Sequence, residues 1–482
     1  MRGATISGEK NTWTAEFRLQ WPEVQRVCCG MLFQFLVLQV CCCSAVWGDE
    51  QVAELPKIPQ LPTIPNVATR IEYEMQLQGT LIVPSDGGAS RFPLVGSTTL
   101  QFDQRVTGRG LTLPDPVRAS RKFATASSST TIGKNHGIQS SLPQQTSLIH
   151  VYGGNGSLLQ ISPEVRLTRA QTDLLQFPCD PLTVDGLLPA EAEHSIGARW
   201  QAEPGLLPVL TGLDFASTEV VECVLKSRQE DLLLIEFLCT GEGGITGSAS
   251  TVKLKGNLLW NPEQQLVTSL EAQMEEERSP GVISPGLKVT VSIRWSASLV
   301  APDSVELPPE PAFPTSSQQL LTLQTPWNLA MLASRDWHVY RKESGLMILR
   351  RLKHGALLGQ CNISPVQSTT AEEQSDRSRF DADVSRQLQE LGGQVEGRER
   401  IRTPGGWRIY RIRATAPVRS SVDSKPAADG QRVELERVIS NYCLCTAKSG
   451  QQYSLTFSHL GSRDEEFSGD VLQLLQTLTL RD

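Results

Sequence analysis

The chain has 482 residues, more than one ordinary domain holds, so two or three hydrophobic cores are expected. Hydrophobic residues at 39% and charged residues at 20% are the composition of a folded globular protein and exclude a disordered one. A formal net charge of −7, with no clustered basic face legible along the chain, lacks the usual footprint of a nucleic-acid binder.

Residues 1–48 read as a signal peptide. Residues 31–40 (MLFQFLVLQV) form an apolar run preceded by Arg26, long enough for a signal-peptide core and too short to cross a bilayer as a helix. Val46 and Gly48 stand at −3 and −1 of a cut before Asp49. The stretch ahead of Met31 is long for such a leader, so translation starting near Met31 is the alternative. Leu38-Gln39-Val40-Cys41 offers lipid attachment as a second reading, and membrane contact is expected only through that anchor.

Residues 49–69 are a proline-rich spacer. Pro56, Pro59, Pro62 and Pro65 recur at every third residue, the repeat of polyproline II, so their rings align on one edge of an extended rod. Residues 70–300 follow as the first domain. Ile71, Tyr73, Met75 and Leu77 alternate with Arg70, Glu72, Glu74 and Gln76, and the same alternation carries Leu287, Val289, Val291, Ile293, Trp295, Ala297 and Leu299. Strands this long, antiparallel and with one wet face, belong to half-barrels or strongly curved sheets. Residues 217–227, 231–241, 250–260 and 268–277 continue as a meander, with Gly243-Gly244 and Asn261-Pro262 as turn residues. Residues 112–147, rich in Ser, Thr and Gln, are expected to be a long loop, and residues 160–177 to hold one short helix.

Pro302, Pro308, Pro309, Pro311 and Pro314 mark a second linker over 301–317. Residues 318–482 then form a mixed domain. Phe380, Val384, Leu388 and Leu391 give an amphipathic helix stopped by Gly392-Gly393, and residues 397–414 a hairpin turning at Pro404-Gly405-Gly406. Strands over 433–447 and 452–460 precede a last helix with Val471, Leu474, Leu475 and Leu478 on one face. One sheet with its helices on one side is the simplest arrangement. The fold class is therefore mainly β with an α+β second domain: an antiparallel curved sheet or half-barrel followed by an α/β sandwich.

The second domain resembles the Mog1/PsbP-like α/β sandwich family of secreted bacterial proteins. The features that carry the resemblance are Pro326-Trp327, the FDADVSRQLQELGG helix, the Gly405-Gly406-Trp407-x-x-Tyr410 run, and the Tyr453, Leu455, Phe457 strand before the closing helix. The first domain, through its long curved strands, resembles LolA/LppX-like half-barrels that hold lipid. Both resemblances imply binding or assembly rather than catalysis, and neither assigns a role to a numbered residue.

Chemistry has little support in the sequence. His136, His150, His194, His338, His354 and His459 share no metal-ligand spacing with one another or with cysteine, and no cofactor or metal site is expected. Ser250 and Lys253 match SxxK, but in an alternating strand residues three apart face opposite sides. Gly241, Gly243, Gly244 and Gly247 imitate a phosphate loop without the helix it needs and read as hairpin glycines. Cys179, Cys223, Cys239, Cys361, Cys443 and Cys445 fall three to a domain and read as small buried hydrophobes, with Cys443 and Cys445 on one face of a strand. A hydrolase would draw on Asp180, Asp185, Glu193 and His194. The expectation is instead an exported, non-catalytic protein of a bacterial periplasm, cell envelope or exterior, without nucleic acid, binding an apolar ligand or a protein partner. A structural component of a surface assembly is the alternative. The apolar faces of 71–77 and 287–299 would either line a cavity or pack against each other and a helix.

Overall fold

The computed structural model describes residues 68–85, 88–108, 118–134, 136–154, 157–189, 195–202, 204–306, 313–366, 377–417 and 436–481. The leader, most of the first proline-rich segment and residues 307–312 of the second lie outside these residues, and so do Glu193 and His194.

The chain is mainly β, in large antiparallel sheets that do not close. The first part supplies β1 (Ala68–Ser85), β2 (Gly88–Gly108), β3 (Arg118–Ile132), β4 (His136–Ser141), β5 (Leu148–Gly154), β6 (Ser157–Ile161), β7 (Arg199–Gln201), β8 (Phe215–Gln229), β9 (Leu232–Ile245), β10 (Ser248–Asn261), β11 (Leu266–Arg278) and β12 (Gly286–Val300). They form a 12-stranded sheet in the order β6-β5-β3-β2-β1-β12-β11-β10-β9-β8-β7, with β4 also on β3. Helices α1 (Arg169–Leu175) and α2 (Leu206–Thr211) fall between β6 and β8.

The alternation seen in the sequence sets the two faces. Tyr73 pairs with Trp295, Trp295 with Leu270, Leu270 with Leu258, Leu258 with Ile235, and Ile235 with Leu225, one apolar row across the sheet. One residue along, Glu74, Arg294, Glu271, Asn257, Glu236 and Val224 make a row on the opposite face. Gly256 interrupts the apolar side of β10, where an added Cβ would stand 2.4 Å from the Glu271 carbonyl and 2.8 Å from the Phe237 ring. A glycine beside Ala272 lets these strands bend while the aromatic ring of β9 fills the gap.

Two expectations about this domain are corrected. Much of 112–147 is strand, because the Ser/Thr-rich residues of β3 pair along β2 from Val95↔Thr131 to Asp103↔Lys122. Gly243 and Gly244 lie inside β9 rather than in a turn: a Cβ on Gly243 would meet the Phe215 carbonyl at 2.0 Å, and the Phe215 ring covers Gly244. The turn itself is Thr246-Gly247, with φ 49° and 77°. Asn261 does turn the next hairpin, its Oδ1 accepting the Glu263 and Gln264 amides at 3.0 Å each.

The second part supplies β13 (Leu321–Gln324), β14 (Leu329–Ala333), β15 (Trp337–Lys342), β16 (Met347–Lys353), β17 (Ala356–Val366), α3 (Arg377–Leu391), β18 (Gln394–Arg402), β19 (Arg408–Pro417), β20 (Arg437–Thr446), β21 (Gln452–Leu460), α4 (Asp464–Gln476) and β22 (Thr479–Leu480). A 7-stranded sheet runs β15-β16-β17-β21-β20-β19-β18, beside the small sheet β13-β14-β22. The helices do not share one side. Tyr442 packs with Val384 and Leu388 of α3, whereas Cys443 packs with Phe467 and Leu474 of α4. Neighbouring residues of a strand point to opposite faces, so α3 and α4 cover opposite faces. Three aromatic residues meet on the α4 side: the Tyr453 hydroxyl donates to the Trp327 carbonyl at 2.8 Å, and the Trp407 and Tyr453 rings lie 6.1 Å apart.

The two parts keep separate cores apart from Leu321, which is buried in the first. Polar backbone contacts join them: Thr322 donates to the Leu167 carbonyl at 2.8 Å, Arg169 to that of Arg335 at 2.8 Å, and Arg335 to that of Gln160 at 2.7 Å. Separate cores and a polar seam argue that residues 49–300 and 318–482, expressed apart, each unfold cooperatively but at lower denaturant than in the intact chain. Circular dichroism checks this; a fragment without a transition of its own rejects the two-domain division.

Asp464 opens α4 and accepts from Arg413 at 3.1 and 2.8 Å, from Ser468 at 3.0 Å, and lies 3.0 Å from His459 Nε2. The Arg413 guanidinium leads in holding this carboxyl down at about 2. A carboxylate depressed in the fold stabilises it above the ordinary value near 4 and ceases to do so as pH falls toward 2. Acid titration of Asp464→Asn should show less loss of stability over that window than the parent chain.

Candidate functional site

The apolar face of the large sheet is filled by the chain itself. The segment between β6 and β8 folds across it, and Leu167, Leu175, Phe177, Leu182, Val184, Leu187, Leu207 and Leu210 join the sheet residues in one buried cluster. A capping box starts α1, with Thr168 Oγ1 accepting the Gln171 amide at 3.3 Å and Gln171 Oε1 accepting the Thr168 amide at 2.8 Å. The Glu219 carboxylate, reaching from β8, accepts the Gly205 and Leu207 amides at the start of α2.

Residues 178–180 are gripped from three strands. Tyr73 of β1 donates its hydroxyl to the Pro178 carbonyl at 3.1 Å, and Trp295 of β12 its indole N–H to the Cys179 carbonyl at 3.0 Å. Cys179 takes a left-handed φ of 54°, which aims Asp180 at Arg121 of β3. Arg121 Nη1 donates to Asp180 Oδ2 at 2.8 Å and Nη2 to Oδ1, with the two side chains 0% and 4% exposed. Arg121 Nε donates to Gln104 at 2.9 Å, and the guanidinium lies 4.9 and 5.4 Å from the Phe102 and Phe177 rings. Asp180 Oδ1 also accepts the Leu182 amide at 2.9 Å. A buried ion pair this completely hydrogen-bonded fixes the position of the segment, which greasy contacts alone would leave free to slide.

Two of the four candidate hydrolase residues, Asp180 and Asp185, lie among the described residues. Both oxygens of Asp180 are committed to Arg121, and Asp185 sits half-buried in a 3-10 turn over Val184–Leu187. Glu193 and His194 fall outside the described residues. Ser250 is buried and donates to Glu276 at 2.8 Å while Lys253 is exposed on the other face, so the SxxK spacing joins nothing. The cysteines Cys179, Cys223, Cys239, Cys361, Cys443 and Cys445 are all buried and unbonded. Among the described residues no group of His, Cys, Asp and Glu could hold a metal ion, and no helix is long and apolar enough to cross a membrane.

The opposite, polar face of the sheet holds the open concavity. A trough of about 910 Å³ runs over β1, β12, β11, β10, β9, β8 and β7. Its floor is two parallel rows. One is Gln76, Ser292, Gln273, Lys255, Leu238 and Glu222; the other is Glu74, Arg294, Glu271, Asn257, Glu236, Val224 and Arg199. Arg294 pairs with Glu74 and Lys226 with Glu236, but Arg199, Lys253, Lys255, Glu222 and Glu271 have no ion-pair partner among the described residues. Leu238 is 38% exposed and Val220 48%, a short apolar strip beside the lysines. The sequence reading passed over this surface because each row draws one residue from each strand. The alternation that was legible shows which residues share a face, and the register brings them together.

No protein family and no curated protein match the chain. Among solved structures, a lipovitellin structure concerned with lipid–protein interactions is 12% identical with a TM-score of 0.28, over 52% of this chain and 27% of that one. OccK5 of Pseudomonas aeruginosa is 8% identical with a TM-score of 0.13, over 81% and 96% of the two chains. OmpT, an outer membrane protein of Vibrio cholerae, is 10% identical with a TM-score of 0.12, over 81% and 99%. TM-scores this low establish no shared fold, and this chain spans 27% of the lipovitellin chain.

The grip on residues 178–180 gives a direct test. Asp180→Ala leaves a buried guanidinium unpaired and should cost about 3–5 kcal/mol in urea unfolding, whereas Arg121→Met/Asp180→Leu should cost less. Burial pushes the Cys179 thiol up to about 12. Iodoacetamide at neutral pH should therefore spare Cys179 in the native chain and modify it in Asp180→Ala; equal protection in both would show that the ion pair does not hold the segment.

Proposed function

We propose that this chain is an exported, non-catalytic binding protein of the bacterial cell envelope that docks a protein partner in the polar trough of its large sheet. The observation that carries the reading is the unneutralised charge of both signs on that floor, Lys253 and Lys255 against Glu222 and Glu271, set among amides and beside Leu238. Strands lie about 4.8 Å apart, so the rows offer charges, amides and one apolar strip at the spacing of a polypeptide's own groups. Phe237, the one aromatic residue among those lining the floor, is buried, so no exposed ring is offered there for a sugar or base to stack on.

Export is supported by the apolar run at 31–40 with its small residues before Asp49, and by the proline rod behind it. The resemblances to Mog1/PsbP-like and LolA/LppX-like proteins imply binding as well. An apolar ligand is the second reading, favoured by the size of the apolar face. The segment that fills this face belongs to the chain, so such a ligand enters only where residues 162–213 leave.

A photo-cross-linker placed at Lys255 in the native envelope should capture a discrete protein neighbour, and Lys253→Glu with the probe retained should weaken that capture about tenfold, the loss expected of one reversed contact charge. Extraction of the purified chain should yield no stoichiometric lipid. Lipid in equimolar amount, with Cys179 reactive and no neighbour at Lys255, would replace the partner reading with the apolar-ligand one.

A further inference from the structure

A second surface, unrelated to the trough, lies at the β18 edge of the 7-stranded sheet, which pairs with no further strand among the described residues. β18 ends that sheet and pairs with β19 in a register that sets Arg398 opposite Ile412, Arg400 opposite Tyr410, and Arg402 opposite Arg408. Residues two apart in a strand share a face, so Arg398, Arg400, Arg402 and Arg408 all stand on one side. It is the side covered by α3, since Ile412 is buried with Val384 and Leu388 and the Tyr410 ring packs on Phe380 at 6.4 Å.

The first arginine of the series is neutralised and the others are not. Arg398 donates to both oxygens of Asp381 on α3, at 3.0 and 3.1 Å, and the Tyr410 hydroxyl donates to the same carboxylate at 3.2 Å. The nearby acids of the hairpin serve the opposite face, where Glu399 pairs with Arg411 and Glu396 with Arg413. Beyond the reach of α3, Arg400, Arg402 and Arg408 are exposed and have no acidic partner among the described residues. Arg377, at the start of α3, lies 5.5 Å over the Tyr410 ring and extends the patch.

Like charges directly opposite in a ladder destabilise it. Charge alone would guard the open edge of β18 against pairing with another strand, and an alternation of lysine and glutamate would do so without setting two guanidiniums face to face. In a chain of net charge −7 this patch is a local inversion of sign. Guanidinium groups bind phosphate oxygens in bidentate fashion. The Tyr410 ring beside these arginines is already taken up by Phe380 and Arg377 and offers no free face to a stacked base or sugar.

We propose that Arg377, Arg400, Arg402 and Arg408 form a docking surface for the phosphate headgroups of an anionic bilayer, turning the α3 side of the second sheet toward a membrane. Contact is electrostatic and reversible, falling with salt because the groups are exposed.

The experiment is sedimentation of the full chain with vesicles. Phosphatidylcholine vesicles containing phosphatidylglycerol should bind it at low salt and release it at high salt, while pure phosphatidylcholine vesicles should not bind it. Arg400→Gln/Arg402→Gln/Arg408→Gln should lower partitioning on the order of 100-fold, and Arg402→Gln alone about fivefold. Arg402→Lys should retain binding, and Lys253→Gln/Lys255→Gln in the trough should leave it unchanged. Equal binding to both vesicle types, or unchanged binding by the glutamine variants, overturns the proposal. So does competition by inorganic phosphate at constant ionic strength, which marks a discrete phosphate site, or by a soluble anionic polysaccharide at equal charge, which marks a polymer site.

Discussion

A wide sheet that is apolar along one whole face must bury that face, and this one cannot do so by closing on itself. Its order runs from β6 to β7 without those strands meeting. The cover comes from the residues that connect the two edges, so the same stretch serves as crossover and as core. Everything else in the first domain follows from holding that stretch still. Tyr73, Trp295 and Arg121, from three different strands, meet it at three consecutive residues. Two of the contacts take backbone carbonyls, which specify place rather than residue type. The third uses a charge pair whose position is far more exacting than that of a leucine in oil, since a displaced Asp180 would leave Arg121 dry and alone.

With the apolar face spent on stability, the surfaces left open are polar, and the chain carries two of different character. The trough displays both signs of charge at ladder spacing, a surface that discriminates by pattern. The edge of the second sheet displays one sign, a surface that discriminates by field. Both arise from the same rule, that alternate residues of neighbouring strands share a face. The second sheet differs from the first in having helices on both sides, so its free surface is confined to the margin beyond α3.

Period-two alternation made β1, β8 to β11 and β12 legible, and period 3.6 made α3 and α4 legible, because those patterns record which side is buried. β3 was not legible: its outer half reads as Ser and Thr, and only the ladder with β2 shows it to be strand. The glycines of β9 misled for a related reason, since glycine serves close approach as well as turning, and Phe215 is distant in sequence. Asp180 reads from the sequence as a candidate acid, while Arg121 falls within 112–147, which reads as a loop. A pair 59 residues apart leaves no local mark. The arginine face lay half in view, because Arg398, Arg400 and Arg402 recur at period two, but Arg408 joins them only once the hairpin register is known. The expectation of helices on one side failed because Tyr442 and Cys443 are both apolar, and nothing local says that two different helices claim them.

The register of β1 has a kinetic side. Ala68 pairs with Val300 and Ile82 with Gly286, so the first strand of the domain, which has β2 on one side at once, finds its other neighbour only when the last strand has been made. Until then the apolar row headed by Tyr73 lacks its Trp295 neighbour and the Cys179 carbonyl lacks its indole donor. Closing so long a loop is slow, and domains dominated by such distant pairings fold on the slower end of the two-state range. A growing chain with this topology can pair its local hairpins early, but it completes the large sheet only once β12 has been made.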